Sequence, residues 1–213
     1  MNLFEVVGAS LAAQMLSAAP DPEIARIVGK MQAFYERTQD FEAHFDQTYL
    51  YKTFNRKQQS EGVVKFAKPG LMRWDYQAPN QKVFVVAKDK AYVFDPEART
   101  MYVSPLSNER LSTSITFLWG RGHLADEFEI QKSSRPDLAG GIQLELTPKK
   151  ADPRFQKIYF LLDAKTCSVR STLVIDPDGS ENRMDFSAVK VNPGLKSSDL
   201  DLKPPADTQI IKH

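Results

Sequence analysis

Residues 62–76 read GVVKFAKPGLMRWDY, and their alternation decides the fold. Val64 and Phe66 lie two apart, on one face of a strand, because strand side chains alternate with period two. Lys68-Pro69-Gly70 then turns the chain. Proline supplies a φ of about −65° and glycine tolerates positive φ, the pair that a type II turn needs at its two central positions. Met72, Trp74 and Tyr76 follow on one face, with Arg73 and Asp75 on the other. A large apolar face beside a charged face is what a sheet presents when one side looks into a core or a cavity.

The same rhythm runs outward in both directions. Upstream, Phe41, Ala43, Phe45, Gln47 and Tyr49 share one face and Glu42, His44, Asp46 and Thr48 the other. His44 and Asp46 therefore read as exposed surface, not as an acid–base pair. Downstream, strands are expected near residues 82–87, 91–95, 100–104, 128–133, 142–147, 155–162, 169–175, 181–191 and 200–203. Turn residues separate most of them: Lys88-Asp89-Lys90, Asp95-Pro96-Glu97, Gly140-Gly141, Asp176-Pro177-Asp178-Gly179 and Asn192-Pro193-Gly194. About eleven or twelve antiparallel strands joined by short turns make a mainly β sandwich or barrel-like sheet.

Two stretches change the period to that of a helix. Over residues 21–37, Ile24, Ile27, Val28, Met31, Phe34 and Tyr35 form a wide apolar stripe, with Asp21 as cap and Pro22 at the first helical position. Mid-chain, LSTSITFLWGRGHL (residues 111–124) places Leu111, Ile115, Leu118 and Trp119 on one helical face, ended by Gly120 and Gly122. A helix that short must dock on the sheet to persist. The two helices together would roof an open concave face.

The totals bound the function. At 213 residues the chain is one domain, over residues 21–213, plus an N-terminal extension. Twenty-eight basic against 27 acidic residues give a net charge of +1, without the basic excess of a nucleic-acid binder. The single cysteine, Cys167, forms no internal disulfide and reads as a half-buried structural thiol. Residues 1–20 are mildly apolar with Ala18-Ala19-Pro20 near their end, but lack an early Lys or Arg and carry Glu5. They read either as a degenerate export signal or as a flexible extra helix. Neither a Gly-x-Ser-x-Gly elbow nor HExxH nor a phosphate loop occurs, and His44, His123 and His213 show no metal-ligand spacing. No catalytic residue, metal or cofactor is expected.

KFAKPGLMRWDYQAP, then VFVVAKDKAYVFDPEARTMYV, then TFLWGRG resemble the periplasmic outer-membrane lipoprotein carriers, the LolA family. The likeness covers about Asp21 to Ile211, nearly the whole chain. It implies an incomplete, unclosed antiparallel barrel with an N-terminal helix and a mid-chain helical lid over the concave face. It also implies a monomeric carrier. That carrier takes triacylated lipoproteins from an inner-membrane ABC-type releasing complex and hands them to an outer-membrane acceptor. Acyl chains need a dry hollow, since each buried methylene contributes about 0.8 kcal/mol. Phe66, Met72, Trp74, Tyr76, Phe84, Val86, Tyr92, Phe94 and Met101 are the expected cavity residues. Leu111, Ile115, Phe117, Leu118 and Trp119 are the expected lid. The family usually has Arg before the turn proline, where it resembles a latch to lid carbonyls. Here that residue is Lys68, which lacks Arg's planar fork. Arg73 is the other candidate, but alternation turns it away from Trp74's face. A competing reading is a lipid-sensing envelope-stress regulator of similar fold that binds a protein partner. Such regulators usually carry a second domain, for which no room is expected here.

Overall fold

A computed structural model describes residues 21–87, 89–106 and 123–212. Helix α1, Pro22–Arg37, starts where the sequence requires: the Asp21 carboxylate accepts from Glu23 N at 2.8 Å, and Pro22 occupies the first turn. It buries Ile24, Ile27, Val28, Met31 and Tyr35, each stabilising by roughly 1.5–3 kcal/mol against full exposure.

Twelve strands follow: β1 Asp40–Tyr51, β2 Arg56–Ala67, β3 Leu71–Tyr76, β4 Lys82–Ala87, β5 Lys90–Asp95, β6 Thr100–Pro105, β7 Phe128–Lys132, β8 Ile142–Pro148, β9 Lys157–Leu162, β10 Val169–Ile175, β11 Glu181–Val191 and β12 Gln209–Lys212. They form one sheet in the order β12-β6-β5-β4-β3-β2-β1-β11-β10-β9-β8-β7. β12 and β7 do not pair with each other, so the sheet is unclosed. Every pair is antiparallel except β12 with β6, which is parallel. The expected strand at residues 200–203 is absent. Ser197–Leu200 is a helical turn, and β12 begins only after Pro204 and Pro205, which cannot donate to a ladder.

The KPG turn joins β2 to β3. The Lys68–Pro69 bond is cis, in place of the expected type II turn, and Gly70 supplies the left-handed residue at φ 68°. Register then places Val64 against Trp74 and Phe66 against Met72. Gly62 pairs with both Phe45 and Tyr76. A Cβ there would stand 2.1 Å from Asp75 O and 2.8 Å from the Phe45 ring. The bare backbone is what lets the Phe45 ring lie across it, 5.0 Å from Trp74 and 4.9 Å from Tyr76 between ring centres.

The main core lies between α1 and the β7–β10 half of the sheet. Met31, Leu144, Leu146 and Leu162 are fully buried there, with Cys167 beside them. The thiol is buried outright where half-burial was expected, on a turn where Cys167 takes φ 58°. Residues 1–20 and the expected lid, Leu111, Ile115, Phe117, Leu118 and Trp119, lie outside the described residues.

Candidate functional cavity

The inner face of the sheet encloses a cavity of about 510 Å³. Phe34, Tyr35 and Thr38 at the end of α1 border it. Phe41 and Ala43 come from β1, Trp74 and Tyr76 from β3, Lys82 and Phe84 from β4, and Val93 from β5. The far wall is Ile158 and Phe160 of β9, Val169, Thr172 and Val174 of β10, and Asn182, Met184, Phe186, Val189 and Val191 of β11. β5 and β9 are separated by six strands in the sheet, yet both line one hollow, so the sheet curls around it. The lining is overwhelmingly apolar and aromatic, and pockets of this size and character hold small apolar ligands.

Each expected cavity residue has a definite place. Trp74, Tyr76 and Phe84 line the hollow. Phe66, Met72 and Val86, expected in the cavity, do not line it; they are fully buried as a cluster packed against Phe41, Trp74 and Phe84, which do. Tyr92, Phe94 and Met101 are not in it. The β4–β5 hairpin pairs Ala87 with Lys90 and Val86 with Ala91. That register puts Ala91 and Val93 inward and sends Tyr92 and Phe94 to the outer face, where Phe94 pairs with Met101. Tyr92 there borders an outer groove with Leu71, Val85, Ala87, Leu200 and Leu202. Tyr92 and Phe94, expected in the cavity, therefore face away from it, since a one-residue change of register reverses every side chain. The two residues left between the paired Ala87 and Lys90 were the signal that carried the correct register. The β9–β11 wall is absent from the sequence expectations because it comes from a distant part of the chain, whereas α1 is expected over the concave face and its Phe34 and Tyr35 border the hollow.

The two latch candidates separate cleanly. Lys68 Nζ donates to Tyr35 O at 2.8 Å and to Glu36 O at 2.9 Å. These carbonyls sit in the last turn of α1, where backbone acceptors have no intrahelical partner and the dipole favours a cation. Burial lowers the Lys68 pKa, and the Glu36 carboxylate partly offsets this. Arg73 lies on the outer face. It pairs two-pronged with Asp75 at 2.8 Å and donates to Asp201 O, so it takes no part at the cavity. On the other side of α1, the Tyr35 hydroxyl accepts from Val169 N at 3.1 Å. Burial pushes the Tyr35 pKa up to about 12, against the opposing pull of the Val169 hydrogen bond. The end of α1 is thus tied to β10 on one flank and to the β2–β3 turn on the other.

A curled, unclosed antiparallel sheet around an apolar hollow, with a helix clasped across one end, defines a class of binding proteins for apolar ligands. The family model described as outer membrane lipoprotein carrier protein LolA matches residues 36–200, and the chain belongs to that family. It is 24% identical over 211 residues to an outer-membrane lipoprotein carrier protein of Dechloromonas aromatica, covering 99% of this chain and 98% of that one. It is 27% identical over 214 residues to the corresponding protein of Azotobacter vinelandii, covering all of both. Among solved structures, an uncharacterized conserved protein from Thermus thermophilus superposes with a TM-score of 0.57 at 10% identity, over 90% of this chain and 99% of that one. MucB superposes with a TM-score of 0.51 at 13% identity, over 91% of this chain and 67% of that one. These structural likenesses concern the fold.

Proposed function

We propose that the protein is a periplasmic carrier that shelters the acyl chains of lipoproteins in this cavity on their way from the inner to the outer membrane. It is a chaperone without a chemical step. The observation that carries the reading is the hollow of about 510 Å³ walled by Trp74, Phe84, Phe160, Met184 and Phe186, in a chain of the LolA family. Aromatic and thioether side chains offer large contact area and re-pack around irregular partners, as acyl chains demand. Among the described residues no helix is long and apolar enough to cross a membrane.

In this reading the cargo is a triacylated lipoprotein. The donor is an inner-membrane ABC-type releasing complex, and the recipient is an outer-membrane acceptor. Lys68 clasps α1 as part of the roof over the hollow. Cargo entry must break that clasp, so part of the free energy of acyl burial goes into opening. Release to an acceptor therefore stays reversible. The test is displacement of a solvatochromic hydrophobic dye by a synthetic triacylated lipopeptide. The carrier should bind the dye and release it to the lipopeptide but not to the same peptide without acyl chains. Absence of dye binding, or equal displacement by the unacylated peptide, refutes the reading.

A further inference from the structure

The cavity is chemically lopsided. At the α1 end its polar groups are already committed: the Tyr35 hydroxyl accepts from Val169 N, Thr38 Oγ1 donates to Phe34 O, and Ser168 Oγ bonds Thr166 Oγ1. At the opposite end they are not. Lys82 is the one charged side chain among the described residues lining the cavity, and none of the ion pairs or hydrogen bonds among the described residues occupies its ammonium. Tyr76 stands directly across from it in the β3–β4 ladder, with Cβ atoms of such pairs about 4.5–5.5 Å apart. The Tyr76 hydroxyl likewise has no hydrogen-bond partner among the described residues, and burial raises its pKa, so it remains a donor at neutral pH. An ammonium and a phenol thus stand side by side as donors at one end of an otherwise apolar hollow, with no acidic side chain among the described lining residues.

We propose that this end is a head-group site, and that the cavity takes single-chain amphiphiles with an anionic head, their chain along the apolar wall and their head at Lys82 and Tyr76. The proposal rests on the carrier reading and adds to it a ligand class that is neither acylated protein nor neutral lipid. A fatty carboxylate matches the donors, because an oxyanion accepts several hydrogen bonds at once and an ammonium favours it by charge. A lysophospholipid with an anionic head offers the same chemistry from a second source.

The test is calorimetric titration, below their critical micelle concentrations, of hexadecanoate, hexadecanol and hexadecanoyl lysophosphatidylglycerol against the full chain and its Lys82→Ala and Lys82→Glu variants. Lys82 is exposed, so both variants should fold, and circular dichroism checks this. The expected result is hexadecanoate bound about fivefold more tightly than hexadecanol, the size of a partly exposed ion pair. That preference should vanish in Lys82→Ala and reverse in Lys82→Glu. A matching preference for the lysophospholipid identifies membrane lipid as a source, and its absence restricts the site to fatty acids. Equal affinity for acid and alcohol in all three proteins overturns the head-group site but leaves the acyl cavity standing. Failure of all three amphiphiles to bind, with the dye also unbound, overturns the carrier reading and this site with it.

Discussion

Replacing Lys68 with Met tests the clasp on α1 directly. Methionine keeps the aliphatic stem, so packing along the stem is conserved while the ammonium is lost. The backbone N–H of Lys68, which donates to Gln39 O at 2.8 Å, is untouched by the change. What disappears is the pair of bonds to Tyr35 O and Glu36 O. Hydrogen bonds with one charged partner contribute about 1.5–3 kcal/mol each when sheltered. This ammonium is only partly buried, and water re-solvates the freed carbonyls. A total of about 2 kcal/mol is therefore expected, including the helix-terminus contribution of about 0.3–1 kcal/mol. In a chain of this size that corresponds to a fall in Tm of roughly 4–8 °C. Urea denaturation reads the global effect, and amide hydrogen exchange over residues 31–37 reads the local one. Exchange there should accelerate more than in β9 or β10, because the clasp holds α1 and not the sheet. Lys68→Arg should recover part of the loss. If Lys68→Met leaves both the urea midpoint and the α1 exchange rates unchanged, the ammonium does not hold the roof and the gating role falls.

Other outcomes follow from the same geometry. Phe84→Ser should weaken hydrophobic-dye binding by about 2 kcal/mol, roughly thirtyfold, whereas Tyr92→Ser, on the outer face of the neighbouring strand, should leave the dye affinity within about a factor of two; equal losses would mean that the β4–β5 register is wrong. Gly62→Ala should cost more than about 3 kcal/mol in urea denaturation, because its Cβ would press on Asp75 O and the Phe45 ring; a near-neutral change would deny the close approach of Phe45. The Tyr35 pKa, raised from 10.0 to about 12, means that the folded state keeps a proton the unfolded state has lost. Its stabilisation is complete below about pH 10 and disappears as pH rises through about 12, on the order of 2–3 kcal/mol. Urea midpoints at about pH 9 and about pH 11.5 should therefore diverge less in Tyr35→Phe than in the parent, and an unchanged divergence would place the alkaline sensitivity elsewhere.

Local order supplied what was legible in the chain itself. Period-two alternation from Phe41 to Tyr49 and from Gly62 to Tyr76 announced strands, and the Asp21-Pro22 start with its apolar stripe announced α1. The inward face of Trp74, Tyr76 and Phe84 followed from alternation alone, because neighbouring side chains on a strand cannot share a face. The choice of Lys68 over Arg73 followed for the same reason. Tertiary structure alone decided how the β1–β5 and β9–β11 walls meet. Curling a sheet brings Phe84 and Phe160 to one hollow across a separation in sequence that no local period records. It also decided what Lys68 holds, since a lysine can reach many carbonyls and only the packed position of α1 selects Tyr35 and Glu36. The inward turn of Val93 in place of Tyr92 and Phe94 was likewise a matter of hairpin register, which depends on how two strands pair and not on the hydrophobicity of either.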